Sequence, residues 1–317
     1  ETYDLAQGSI TVEAKADGSQ YVSQTGGVQQ EQQTTETVIN QTDSNTTSTT
    51  NTITIQAEKN QTAQVTISDV NINVRWEGKA AISTGGDGSV TIELDGSNTA
   101  KGDDNHAGVE KNNGGNLTIT DADGDGALNA KGGAFGAGIG GGHQGSGSDI
   151  TISGSAEVTA NGGDYGAGIG GGDTGSGSNI KISGSAEVTA KGGTYGAGIG
   201  GGHRGSGSDI TISDNAEVIT TSGNNGTGIG GGKFGNGEIT PNTDNLTNGF
   251  IAYYDSNANM ETSAPEKLLH KDGSGAHTHT GVTLKSSTEA TCLNNATVTY
   301  LCSCGTEITT ELLNTAL

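Results

Sequence analysis

The amino-acid sequence predicts an all-β protein, a right-handed parallel β-helix whose coils each hold about 30 residues. The heptapeptide Gly-Ala-Gly-Ile-Gly-Gly-Gly recurs at 136–142, 166–172 and 196–202, and a near copy stands at 226–232. Segments that alternate Ile, Val and Thr with polar residues recur at the same step, which is typical of short strands. The repeats show no apolar spacing of about 3.6 residues, which a helix would require.

The central isoleucines of these copies set the architecture. Ile139, Ile169, Ile199 and Ile229 follow one another at a constant step of 30 residues. Such regularity indicates stacked copies of one unit, because a single copy cannot bury its apolar face without its neighbours. Three short strands per coil place like residues above like, about 4.8 Å apart. The expected handedness follows from the general rule for connections between parallel strands.

The period also divides the chain. Weaker copies of the repeat extend toward the N-terminus as far as Ile53, so we expect six or seven coils. The predicted parts are an N-terminal cap with the opening strands at 1–49, the parallel β-helix at 50–254, a linker at 255–275, and a small Cys and His module at 276–317.

Composition restricts the partners. The formal net charge is −22, whereas a nucleic-acid surface needs basic residues, so no nucleic acid is expected. No segment approaches the roughly 20 apolar residues of a membrane span, so we expect no membrane insertion. Cations, or neutral polymers with many hydroxyl groups, suit this chain better. We expect a monomer.

One acidic loop has the spacing of calcium ligands. Asp121, Asp123 and Asp125 alternate before Gly126, and Asn129 is a possible later ligand. This pattern is how a short loop wraps oxygen atoms around calcium, although glycine replaces the glutamate expected at the twelfth position. The alternatives are a calcium site and a solvated acidic turn between two strands.

An aromatic ladder is the first candidate for ligand binding. Phe135, Tyr165 and Tyr195 share one position of the repeat and are predicted to lie along one edge of the helix. Such a row can bind sugar rings, with the phenol hydroxyls adding hydrogen bonds. It can equally pack on itself and close the corner of each coil.

A second ladder follows each heptapeptide. It consists of His143, Asp173, His203 and Lys233. The two histidines are two coils apart, roughly 10 Å, which is too far for them to share one metal ion. We predict a variable rim here, in which His143 and His203 take part in carbohydrate binding.

Catalysis is not favoured. Parallel β-helices include polysaccharide lyases and glycoside hydrolases, which need a convergent acid and base. The repeats are nearly identical, whereas an active site needs one coil to differ. A polysaccharide-degrading enzyme and a stalk without a ligand remain the alternatives to a binding protein.

The cysteines lie in the C-terminal module. They number three, so they cannot all pair with one another. Cys292, Cys302 and Cys304 with His279, or with His277, can form a Cys3His zinc site. One disulfide or free thiols remain possible.

The repeats and the tail resemble a known group of proteins. The heptapeptide coils, preceded by VTIELDGSNTAKGDDNHAGVEKNNGGNLTI, look like the parallel β-helix repeats of large secreted surface proteins of clostridia and related gut Firmicutes. The tail EATCLNNATVTYLCSCGTEITTELLNTAL is similar to a Cys-containing repeat of such proteins. The resemblance implies an exported, cell-surface protein of a Gram-positive gut bacterium that binds polysaccharide or host glycan, or acts as an adhesin, and some relatives contain calcium. It carries no binding residue to a single position of this chain.

Overall fold

The computed structural model describes residues 1–26, 30–32, 37–255, 257–260, 262–272, 275–287, 296–302 and 305–312. These residues are almost entirely β, apart from a 3-10 helix at Leu5–Gln7. The N-terminal strands are β1 (Thr2–Asp4), β2 (Ile10–Ala14), β3 (Gln20–Gln24), β4 (Gln30–Gln32) and β5 (Val38–Asn40).

Nineteen short strands build the coils that follow. They are β6 (Ile53–Ala57), β7 (Thr62–Ser68), β8 (Asn71–Asn73), β9 (Ile82–Gly85), β10 (Ser89–Asp95), β11 (Ser97–Lys101), β12 (Val109–Glu110), β13 (Leu117–Asp121), β14 (Ala127–Lys131), β15 (Ile139–Gly140), β16 (Gly147–Gly154), β17 (Glu157–Asn161), β18 (Ile169–Gly170), β19 (Gly177–Ile182), β20 (Glu187–Lys191), β21 (Ile199–Gly200), β22 (Gly207–Ile212), β23 (Glu217–Thr221) and β24 (Ile229–Gly230). The C-terminal strands are β25 (Phe250–Tyr254), β26 (Lys267–Asp272), β27 (Gly275–Thr280), β28 (Thr283–Ser287), β29 (Ala296–Leu301) and β30 (Glu307–Leu312).

Three long sheets form the walls of the molecule, and each coil contributes one strand to each wall. The strand orders are β1-β5-β7-β10-β13-β16-β19-β22, then β27-β26-β25-β23-β20-β17-β14-β11-β8, and β24-β21-β18-β15-β12-β9-β6-β2-β3-β4. Strands of successive coils pair in parallel, so the predicted β-solenoid is confirmed, with about seven coils of about 30 residues.

The core is a set of apolar columns that run along the axis. Ile139 pairs with Ile169, Ile169 with Ile199 and Ile199 with Ile229, and all four are fully buried. In strands such as β7 and β10 the apolar residues point inward and the polar ones outward, because successive side chains alternate between the two faces. The narrow interior therefore needs only Ile, Val, Leu and Ala, which explains how a chain with 3% aromatic residues fills its core.

The glycine that directly follows each central isoleucine is required by the stacking. Gly170 has φ +130°, and a Cβ there would lie 2.0 Å from the carbonyl oxygen of Gly200 in the next coil. No L side chain fits such a contact in this backbone region. The glycines of the heptapeptide therefore serve the close approach of adjacent coils.

The ends of the solenoid depart from the repeat. In the segment expected to be a cap, β2 already pairs in parallel with β6, and β3 and β4 add antiparallel strands beside it. In the segment expected to be a linker, β26 pairs antiparallel with β25 and β27. Strands β28, β29 and β30 form a separate antiparallel sheet. Its apolar side packs on Ile219, Phe250 and Tyr254 of the last coils.

Candidate functional site

One corner of the solenoid gathers the side chains of the two ladders that the sequence predicts. We call it the aromatic corner and define it by Phe135, Tyr165, Tyr195 and the adjoining row of His143, Asp173, His203, Lys233 and Phe234. The three rings lie in the turns that connect β14 to β15, β17 to β18 and β20 to β21.

Backbone hydrogen bonds between coils hold the rings in register. The amide of Tyr165 donates to the carbonyl of Ala134 at 3.0 Å, and that of Tyr195 donates to Asp164 at 2.9 Å. The glycines that flank the rings bring the turns this close. The backbone of each ring-bearing residue is therefore held in place by main-chain bonds.

The aromatic rings form one continuous stack. The centroids of Phe135 and Tyr165 lie 5.1 Å apart with 15° between the ring planes. Tyr165 and Tyr195 are also 5.1 Å apart, tilted by 33°. The Tyr165 ring therefore lies between two neighbouring rings, and all three side chains of the stack are half-buried.

The second row is tied directly to the first. The amides of Asp173 and His203 donate to the carbonyls of Phe135 and Tyr165, each at 2.8 Å. The carboxylate of Asp173 lies between two histidines: its Oδ1 accepts a hydrogen bond from Nδ1 of His203 at 2.9 Å, and its Oδ2 is 3.6 Å from Nε2 of His143. The structure thus brings together all five residues predicted to bind carbohydrate.

The far end of the corner carries a cation and an exposed ring. The Nζ of Lys233 lies 5.0 Å from the ring centre of Tyr195 and 5.1 Å from that of Phe234. Phe234 is 72% exposed with φ +70°, and its ring meets His203 edge-on at 5.8 Å. Sequence reasoning did not select Phe234. Phe234 occupies the same position of the repeat as Arg204, which also adopts positive φ and is also exposed. An aromatic residue at this exposed position is the signal that could have identified it.

A second exposed ring lies in an earlier coil, in the connection that corresponds to those of Phe135, Tyr165 and Tyr195 and not to that of Phe234. Trp76, between β8 and β9, is 73% exposed with φ +75°, and the guanidinium of Arg75 lies 4.7 Å from its ring centre. The carboxylate of Asp103 accepts hydrogen bonds from the amides of Trp76 at 3.0 Å and Gly78 at 2.7 Å. Burial opposes ionisation of Asp103, but a backbone hydrogen bond from Asp104, together with those from Trp76 and Gly78, holds its pKa below the ordinary value. Sequence reasoning also missed this tryptophan.

The acidic loop is closed upon itself. Asp121 is buried, and its carboxylate accepts hydrogen bonds from the amides of Asp123, Gly124 and Gly126 at 3.2, 2.9 and 2.9 Å. Carboxylate oxygens of Asp121, Asp123 and Glu93 all lie within 4.8 Å of one another. Glu93 was not among the predicted ligands, since it comes from the neighbouring coil.

The two other predicted calcium ligands, Asp125 and Asn129, have different surroundings. Asp125 adjoins Asp123, and that neighbouring negative charge raises the pKa of Asp125. Asn129 lies on β14, where its amide oxygen is 3.5 Å from Nδ2 of Asn161. Of the predicted carboxylate ligands, the cluster therefore contains Asp121 and Asp123 but not Asp125.

The predicted zinc ligands are only partly described. Cys292 and Cys304 lie outside the described residues, whereas Cys302 is buried. Cys302 and His279 lie together with a third side chain, His270, and their ligand atoms are all within 4.8 Å of one another. His270 was missed because it falls in the expected linker.

Comparison of the chain with protein-family models, curated proteins and solved structures gave no significant match in any of the three. Among the described residues, no helical segment has the length and hydropathy that crossing a bilayer requires.

Proposed function

We propose that this chain is an exported, non-catalytic surface protein that binds a polysaccharide along the aromatic corner. The observation that carries this proposal is the unbroken stack of Phe135, Tyr165 and Tyr195 beside the His143, Asp173 and His203 row. Equivalent groups recur in it about every 4.8 Å, the spacing of stacked strands. A polymer of repeating units is the ligand that such a linear, periodic surface fits.

The geometry favours polar contacts with sugar hydroxyls. Because the faces of Tyr165 are occupied by other rings, the corner offers phenol hydroxyls, imidazole nitrogens and the Asp173 carboxylate. The residues that carry these groups are held in register by main-chain bonds, and their side chains contact one another, so little ordering is needed on binding. Ring stacking against a sugar remains available at the exposed Phe234.

Charge agrees with a neutral or cationic glycan. The net charge of −22 disfavours polyanions, and Lys233 is the cation seated beside the stacked rings. The resemblance of the repeats and tail to secreted clostridial surface proteins supports export and display at the cell surface. A polysaccharide-degrading enzyme and a stalk without a ligand are the competing functions.

A polysaccharide and glycan array probed with the full chain tests the proposal. We expect wild-type protein to bind at least one polymer, and Asp173→Asn to reduce that signal because His203 loses its anionic partner. The matched control is Tyr21→Phe, which removes a phenol hydroxyl at the other end of the molecule, and it should bind like wild type.

Two other results would contradict the proposal. An array without any signal from the wild type would support the stalk. Release of reducing ends from the bound polymer would support the enzyme. Running the array with calcium and with a chelator separates a role of the acidic loop from a role of the corner.

A further inference from the structure

Three side chains from separate strands meet beneath the C-terminal sheet. His270 lies on β26, His279 on β27, and Cys302 directly follows β29. In the antiparallel pair, Leu268 lies opposite His279 and His270 opposite His277, so His270 and His279 are diagonal neighbours on one face. Their rings lie 5.0 Å apart and 17° from parallel.

The cluster is withdrawn from solvent. His270 and Cys302 are each 3% exposed, and Nε2 of His279 is buried although its ring is partly accessible. Cys302 belongs to the small second core, together with Leu268 and Tyr300.

The ligand atoms are close enough to share one ion. Nitrogen atoms of the two histidines and Sγ of Cys302 lie within 4.8 Å of one another, and bonds of about 2.0–2.3 Å to a central ion require only a small contraction. Imidazole nitrogen and thiolate sulfur are the donors that zinc prefers. Three protein ligands leave a fourth tetrahedral position for water or another donor.

We propose that His270, His279 and Cys302 bind one zinc ion. On binding, the Cys302 thiol releases its proton to solvent and Sγ bonds to the metal as thiolate, while both imidazoles bind in the neutral form. The pairing of β26 with β27 and the turn after β29 place these donors together, and the turn is closed by the amide of Gly305 donating to the carbonyl of Cys302 at 2.9 Å.

The metal would fasten the C-terminal sheet to the end of the solenoid. That sheet has three short strands, too little chain to bury a sufficient apolar core alone. It docks through Tyr300, whose hydroxyl is bonded by that of Tyr254 on the last coil. Free energy of metal binding therefore becomes free energy of docking, because the three ligands meet only in the docked arrangement.

Titration of the full, metal-stripped chain with zinc, and with cobalt(II) as a spectroscopic probe, tests the site. We expect about one metal per chain, thiolate-to-cobalt charge-transfer absorption, and visible bands of tetrahedral intensity that zinc abolishes. His279→Gln and Cys302→Ser should each weaken binding by more than about tenfold, since even substitutions outside the ligand shell cost that much. His143→Gln, at the aromatic corner, is the matched control and should bind as wild type.

His270 is buried, so His270→Gln can disturb packing as well as metal binding. Its contribution is therefore tested in the unsubstituted chain. Addition of zinc to the stripped wild type should increase hydrogen-exchange protection of β28, β29 and β30 and leave the central coils unchanged. The proposal is wrong if stripped wild type gives no thiolate-to-cobalt band, or if Cys302→Ser binds zinc like wild type.

Discussion

The rings of Phe135 and Tyr165 lie nearly parallel, 15° apart in orientation, with their centroids separated by 5.1 Å and their residues by one coil. This distance is close to the spacing of neighbouring strands, so the rings stack because the backbones stack. The same contact closes one face of each ring to any ligand. Stability and ligand access at this corner are therefore linked.

Truncation inside the stack should cost stability. Tyr165→Ala removes two ring contacts, each worth about 0.5–1.5 kcal/mol, so we expect the free energy of unfolding to fall by about 1–3 kcal/mol. Phe234→Ala, at a side chain 72% exposed, should change it by less than about 0.5 kcal/mol. Urea unfolding followed by circular dichroism measures both, and equal effects would contradict the packed stack.

Stacking of the coils depends on glycine at defined positions. Gly170→Ala places a Cβ 2.0 Å from the carbonyl oxygen of Gly200, and we expect a loss of about 1–3 kcal/mol in the free energy of unfolding. The control is Gly237→Ala, where a Cβ meets nothing within 4 Å. Similar melting temperatures for the two variants would show that the coils can separate at little cost.

The carboxyl of Glu217 makes docking of the C-terminal sheet depend on pH. Burial raises its pKa above the ordinary value, and the hydrogen bond from Oγ1 of Thr310 at 2.7 Å lowers it in part. Below the pKa of the unfolded chain both states hold the proton. As pH rises between the unfolded and folded values, the unfolded chain releases its proton first, and stability is lost.

Glu217→Gln should therefore raise the melting temperature at pH ~7 and change it little at pH ~3, below the ordinary glutamate pKa of about 4.3. Gln retains an oxygen that can accept the bond from Thr310. Differential scanning calorimetry at both pH values measures the difference. An equal shift at both, or a lower melting temperature at neutral pH, would show that the buried charge is not the cause.

Calcium binding at the acidic loop stays a prediction. Asp121 is already engaged by three backbone amides, so an ion would depend on Asp123, Glu93 and the remaining lone pairs of Asp121. We expect an affinity in the weak range of extracellular modules, about 10⁻⁴–10⁻³ M. Asp123→Asn should abolish calcium uptake in isothermal titration, and Asp17→Asn should retain it. Absence of uptake by the wild type means that the loop is a solvated turn.

The repeat made the columns of the solenoid predictable. A constant step of 30 residues puts Ile139 above Ile169, and the same arithmetic puts Phe135 above Tyr165. Ring orientation was not predictable, because it depends on side-chain torsions that the step does not fix. The same holds for Asp173, whose place between His143 and His203 follows from the row but whose contacts with both do not.

Features outside the repeat escaped sequence reasoning for another reason. His270 lies beside His279 because β26 and β27 pair antiparallel, and both lie close to Cys302. This pairing is outside the repeat, so the sequence period does not predict it. Trp76 and Phe234 were missed because each is a single departure from the repeat, held at positive φ by its turn. Searching each repeat position for its one aromatic exception is the signal that could have found them.

The measurement closest to the central claim is isothermal titration of the polysaccharide selected on the array against wild type and the double variant Tyr165→Phe, Tyr195→Phe. The substitutions keep both rings and remove only two hydroxyls, so the melting temperature should not change. Each lost hydrogen bond is worth about 0.5–1.5 kcal/mol, so we predict roughly tenfold or greater loss of affinity. Wild-type affinity in a fully folded double variant would contradict binding at the aromatic corner.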